Sequence, residues 1–122
     1  MKGKEDYLKV IYELKKARSI DISRELGISK PSVSEMLRKL AKLKLVKFKP
    51  YSKVSLTARG RREAGKIIKK HEIIEKFAGK IGHKNPHQEA HILEHYFSDN
   101  MIKHLDNFLS EKKPETLPSY IN

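Results

Sequence analysis

A mainly helical chain in two parts is expected from three observations on the 122-residue sequence. First, apolar residues recur at helical spacing along most of its length, as in Tyr7, Leu8, Ile11 and Leu14, or Val33, Met36, Leu37 and Leu40. Second, one stretch breaks that period. In VKFKPYSKVSLT, residues 46–57, Val46 and Phe48 alternate with polar residues, a turn falls at Pro50–Lys53, and Val54 and Leu56 alternate again. Third, charge and histidine are segregated. Residues 1–70 hold 21 Lys and Arg against 7 Asp and Glu, residues 71–122 hold 6 against 8, and five of the six histidines lie beyond position 80.

The first helix is expected in KEDYLKVIYELKKA, residues 4–17. Ser19 can cap a short second helix through Leu26, and Gly27 suits the left-handed turn that would end it. Ser29 can cap a third helix, with Pro31 in its first turn, where a missing N–H costs nothing. Two helices joined by a tight glycine turn read as a helix-turn-helix. The polar face of the third helix carries Ser32, Glu35, Arg38, Lys39 and Lys42. An ordinary helical hairpin with a charged surface would look the same up to this point. The basic β-hairpin that follows, with Lys53 at its turn, distinguishes the two. Residues 1–60 are therefore expected to form an N-terminal winged helix-turn-helix whose small β-hairpin is the wing. Its net positive charge fits double-stranded DNA.

Residues 61–110 are expected to form a helical domain, and 111–122, with two prolines, a C-terminal tail. Thr57 can cap a long helix over 58–81 with an apolar stripe at Ile67, Ile68, Ile74, Phe77 and Ile81, ended by Gly82. Asn85 and Pro86 suit the start of the next helix, with Gln88 at the capping-box position. Ser98 or Asp99 starts the last, which carries Ile102, Leu105, Phe108 and Leu109. These helices have little mass for a core of their own, so their stripes are expected to pack on a second copy of the chain. A homodimer also matches a palindromic operator, whose half-sites lie about 34 Å apart.

HQEAHILEHY, residues 87–96, is expected to be one helix. His87, His91, Glu94 and His95 then fall within roughly a 100° arc of its surface, with Ile92, Leu93 and Phe97 facing the core. His71 and Glu75, at i and i+4, project together from the long helix, and Asp6 offers a carboxylate on the first. A divalent metal site is one reading of these residues. Half-buried structural histidines in a metal-independent winged-helix factor are another, and Asp6 alone would then only favour its helix N-terminus. His91 to His95 also spells H-x-x-E-H, a zinc peptidase motif. A chain this short leaves little room for a substrate cleft and a distant third ligand, so an enzyme is not expected.

The chain holds no cysteine, which rules out disulfides and thiolate metal sites. No apolar run approaches the ~18 residues that span a bilayer, and residues 1–5 lack the apolar core of a secretory signal. A cytoplasmic protein without membrane association is expected.

From about Glu5 to Leu109 the sequence resembles the DtxR/MntR family of metal-dependent transcriptional repressors. The resemblance rests on EDYLKVIYEL, ISRELGISKPSVSEMLRKLAKLKLV, SLTARG, KKHEIIEKF and LEHYFSD, in that order. It implies two metal sites. His71, Glu75 and His87 match an ancillary site, and Asp6, His91, Glu94 and His95 match the primary, DNA-coupling site. Asp6 is the residue type of manganese sensors, whereas the His91 position is usually Cys in iron sensors and Glu in manganese sensors. Lys9 stands where manganese sensors place a second carboxylate; a protonated lysine repels a second cation, which argues against a close manganese pair. The resemblance also implies base contacts from Ser29, Pro31 and Glu35, phosphate contacts from Ser32 and Ser34, and a short form without the C-terminal SH3-like domain. Glu35, where glutamine is frequent, can accept from cytosine but cannot donate to adenine. The oxygen and nitrogen donors suit a divalent transition metal, and the lack of sulfur leans toward Mn2+ or Fe2+.

Overall fold

A computed structural model describes residues 3–15 and 17–110. The expected tail at 111–122 lies outside the described residues. The chain divides into two compact units, Met1–Ile68 and Lys69–Asn122. No described helix is long and apolar enough to cross a membrane.

The first unit contains α1 (Lys4–Leu14), α2 (Ser19–Leu26), α3 (Lys30–Lys42), β1 (Val46–Lys47), β2 (Ser55–Leu56) and the start of α4 (Ala58–Lys80). The start of α2 differs in detail from the expectation. Arg18 is its N-cap, and its N–H donates to the Asp21 carboxylate at 2.9 Å. Gly27 ends α2 at φ 67°, a left-handed geometry that an L side chain would strain. The Ser23 hydroxyl closes the turn by donating to the Ile28 carbonyl. Ser29 caps α3, with Pro31 in the first turn as expected. The α3 stripe then buries Val33, Leu37 and Leu40 against Tyr7, Leu8, Ile11 and Ile22. Burying one aliphatic side chain of this kind stabilises by about 1.5–3 kcal/mol.

The wing is antiparallel, with Val46 opposite Leu56 and Lys47 opposite Ser55. A bridge between Ala17 and Val54 adds a third pairing, with the Val54 N–H donating to the Ala17 carbonyl at 2.7 Å. Thr57 ties the wing to α4. Its hydroxyl accepts from the Gly60 N–H at 3.0 Å and donates to the Lys44 carbonyl at 2.7 Å. Ala64 and Ile67 continue α4 into the first unit's core. This is why the units divide inside α4 rather than at residue 60.

The second unit holds the rest of α4, α5 (Pro86–Leu93) and α6 (Asp99–Leu109). Its core is thin: Ile73, Ile74, Ala90, Ile102, Leu105 and Leu109, with Phe77, Leu93 and Phe97 packed around them. Lys70 joins α4 to the start of α6, donating to the Phe97 carbonyl at 3.1 Å and pairing with Asp99 at 3.0 Å.

Three local expectations are corrected here. The helix expected over 87–96 stops at Leu93, where the chain tightens into a turn: the Tyr96 N–H bonds the Leu93 carbonyl only three residues back, at 3.0 Å. Asn85 makes no side-chain cap bond; its N–H instead donates to His83 Nδ1 at 3.0 Å. Ile92, expected in the core, is 56% exposed. Ile81, Tyr96, Met101 and Phe108 are exposed as well, a large apolar surface for so small a unit.

Candidate functional site

His71 sits in the middle of α4, and its burial (7% exposed) is unusual for a titratable side chain. One turn on, Glu75 projects beside it, placing its Oε2 2.9 Å from His71 Nε2. Asn85 and Pro86 start α5 so that His87 faces the same place, with its Nδ1 3.1 Å from His71 Nε2 and 3.4 Å from Glu75 Oε2. One turn further along α5, His91 Nε2 stands 3.1 Å from His87 Nε2. The three rings pack with centroids 4.5–4.7 Å apart. One nitrogen from each of His71, His87 and His91 lies within 4.8 Å of the others.

Glu94, at the C-cap of α5, closes the cluster from the buried side. It is 1% exposed, and its Oε2 accepts from His71 Nδ1 at 2.9 Å. Its Oε1 lies 3.5 Å from His91 Nδ1 and 3.8 Å from His95 Nε2. The hydrogen bond with His87 holds the Glu75 carboxyl below its usual 4.5; burial opposes this shift and the charge of His71 reinforces it. His83 and His104 have local partners, Glu89 at 3.6 Å and the Asn100 carbonyl at 2.8 Å respectively. His71, Glu75, His87, His91 and Glu94 thus form one connected group. The Glu94 of the H-x-x-E-H string is buried against His71.

Asp6 belongs to the first unit, where its carboxylate accepts the Gly3 N–H at 2.9 Å and so caps α1. The expected DNA-contacting residues lie in that unit too. Ser29 and Ser32 are hydrogen-bonded at 2.9 Å at the exposed start of α3. Pro31, Glu35, Arg38 and Lys39 are exposed, and Ser34 is half-buried. Lys53 is exposed on the wing. Between α3 and the wing lies a groove of about 510 Å³ lined by Lys30, Ser34, Arg38, Phe48 and Tyr51, with Arg18 at its edge. Tyr51, fully exposed at the wing tip with φ 63°, and Arg18 were not expected at this face. Tyr51 lies in the turn expected at Pro50–Lys53 but was not singled out there; nothing in the sequence setting of Arg18 marks it, because only folding brings the loop before α2 beside the wing.

The family model described as the N-terminal DNA-binding domain of the iron dependent repressors matches residues 1–54. The model of that family's metal-binding and dimerisation domain matches residues 57–119. The chain belongs to the iron dependent repressor family. Its relatives agree. An uncharacterised HTH-type transcriptional regulator of Methanocaldococcus jannaschii is 34% identical over 89% of this chain and 94% of its own length. The transcriptional regulator MntR of Escherichia coli is 32% identical over 80% of this chain and 67% of its own length. Among solved structures, the manganese regulator SloR superposes with a TM-score of 0.78 at 37% identity, covering 90% of this chain and 54% of that one. The IdeR of T. acidophilum gives 0.79 at 28% identity, covering 90% and 55%. The chain spans about half the length of those two solved chains.

Proposed function

We propose that this chain is a metal-dependent transcriptional repressor that binds a palindromic DNA operator as a homodimer and serves manganese or iron homeostasis. The observation that carries the proposal is the convergence of His71, Glu75, His87, His91 and Glu94 in a chain that also presents a cationic helix and wing. Imidazole nitrogens and carboxylate oxygens at 2.9–3.5 Å, around a ring held by a buried carboxylate, are a donor set that fits a divalent transition metal. These residues would hold a divalent ion, which would supply positive charge among the donors; a dimer reading operator half-sites would need its recognition helices about 34 Å apart.

The residues divide the work. Asp6, His91, Glu94 and His95 are assigned to the DNA-coupling site and His71, Glu75 and His87 to the ancillary one, on the match of their positions to the family. Asp6 is the member carried by the DNA-binding unit, so its carboxylate is the group through which metal occupancy reaches α1. Ser29, Pro31 and Glu35 at the start of α3 face base edges, Ser32 and Ser34 hold phosphates, and Arg38, Lys39 and Lys53 add positive charge. The exposed apolar residues Ile92, Tyr96, Met101 and Phe108 are the surface that a second copy covers. Mn2+ or Fe2+ is the expected ion at the DNA-coupling site, whose four donors are two carboxylates and two imidazoles with no sulfur.

Operator binding measured with Mn2+ or Fe2+, and again with a chelator, tests this. Coupling of about 1–3 kcal/mol is ordinary for such systems, so removing metal should weaken binding roughly 5–150-fold. Asp6→Ala should abolish the stimulation while leaving residual binding. Equal binding with and without chelator would leave a metal-independent winged-helix factor with structural histidines.

A further inference from the structure

The side chain of His91 stands with those of His71 and His87. We propose that His71, Glu75, His87 and His91 form a single three-imidazole, one-carboxylate site, supplied wholly by the second unit and selective for a nitrogen-preferring ion of the Zn2+, Co2+ or Ni2+ class. The proposal rests on the metal-binding reading above but departs from it in ligand set and in ion. His91 leaves the DNA-coupling set, where Asp6, Glu94 and His95 remain.

Three observations support it. The first is spacing. His71 Nε2, His87 Nδ1 and Glu75 Oε2 form a triangle with sides of 2.9, 3.1 and 3.4 Å. Four-coordinate zinc holds nitrogen and oxygen at about 2.0–2.2 Å, which places neighbouring donors on a tetrahedron about 3.3 Å apart. The triangle is already close to one face of that tetrahedron. His91 Nε2 stands 3.1 Å from His87 Nε2, on the other nitrogen of that ring, and one of its nitrogens lies within 4.8 Å of nitrogens of His71 and His87, so a turn of the His91 and His87 side chains is needed to bring it to the fourth corner.

The second is the direction of the lone pairs. Glu94, buried and accepting from His71 Nδ1, directs the other nitrogen of the ring toward Glu75 and His87. In a neutral His71 this places a lone pair against a carboxylate oxygen and a second imidazole, an arrangement that a cation among them stabilises. An outer carboxylate that fixes the tautomer of a liganding histidine is the usual support of such sites. Glu94 acts here as a positioning residue.

The third is donor chemistry. Three nitrogens in four donors favour cobalt, nickel and zinc over manganese, both by the preference of imidazole and by the order of divalent affinities. A glutamate at position 91 would shift the balance back toward oxygen.

Full-length protein titrated with Co2+ and Zn2+ tests the assignment, reading the visible cobalt bands and competing Zn2+ against Mn2+. Wild type should show the intense bands of four-coordinate cobalt, displaced by Zn2+ and not by equimolar Mn2+. Losing one ligand should cost at least as much as losing an outer partner, about tenfold or more in Co2+ and Zn2+ affinity. His91→Ala should therefore show that loss with weakened bands, and His91→Glu should lower the Zn2+-over-Mn2+ preference by a similar factor. His104→Ala, which removes an imidazole outside the set, should change neither. His87→Ala serves as a second ligand variant, and metal-free melting curves matching wild type exclude unfolding. Unchanged bands and affinity in His91→Ala would overturn the proposal. Octahedral-type weak bands in wild type would overturn it too. Operator binding that still responds to Mn2+ in either case would leave the repressor reading intact. A normal cobalt site with operator binding indifferent to every ion would defeat that reading alone.

Discussion

Glu94 and Glu75 are both glutamates on the histidine cluster, and they differ in what surrounds them. Glu94 is enclosed and accepts a hydrogen bond from His71, whereas Glu75 is half-buried with its carboxyl held below 4.5 by His87. A depressed carboxyl contributes its charge fully above its unfolded value and loses it only as the pH falls through the lower, folded one. Between about pH 5 and 7.5 Glu75 is therefore constant, so a change across that window does not come from its carboxyl; free imidazole has its ordinary value inside the window, at about 6.5. Metal-stimulated operator binding is expected to fade below about pH 6, as protons compete for the ring nitrogens. Binding curves taken at several pH values check this, and undiminished stimulation at about pH 5 would argue against histidine ligation. The sequence showed the i, i+4 pairs His71–Glu75 and His87–His91, because a helix makes such neighbours automatically. It could not show that Glu94 turns inward to His71, since that meeting spans 23 positions.

Among the elements, the junction between wing and α4 has the least slack. A methyl built on Gly60 would stand 1.9 Å from the Leu45 carbonyl oxygen, a backbone atom that cannot swing aside. That same carbonyl accepts the Thr57 N–H at 3.0 Å. Gly60→Ala should therefore destabilise by about 1–3 kcal/mol or more, the ordinary cost of overpacking. Urea denaturation should show a lower midpoint, and a wild-type midpoint would mean the junction is more pliant than this geometry implies. The helices were legible because their apolar period is long and their caps are local, as at Ser29 and Ser98. The third pairing of the wing, Ala17 with Val54, was not, because a single bridge leaves no alternating pattern. The early end of α5 was also hidden: the 3.6 period continues through Glu94 and His95, and the departure is a backbone one, the three-residue return of the Tyr96 N–H to the Leu93 carbonyl.

For the molecule as a whole, the charge distribution sets how it meets DNA. The excess of lysine and arginine lies in residues 1–70, and Arg38, Lys39 and Lys53 are exposed there. Lys39 pairs with Glu35 at 3.8 Å, but both side chains are largely exposed and such a pair is worth little. Its charge therefore remains available to phosphate. Operator affinity should fall steeply with salt, and changing Arg38, Lys39 or Lys53 to alanine should each reduce the log–log slope by about one. The loss should be similar on operator and random DNA. A slope unaffected by all three would place the phosphate contacts elsewhere on this surface.

Local rules were enough to read the helix-turn-helix, the wing, the basic half and the inventory of candidate ligand side chains. Each is written in spacing, caps or composition, which a chain carries before it folds. Which ligands share a site is a different kind of fact. His71 meets Glu94, and His87 and His91 meet His71, only because α4 and α5 pack across a loop. Helix periodicity fixes the direction of a side chain around its own axis but not the neighbour that packing brings opposite it, so the grouping of His91 with His71 and His87 came from the fold.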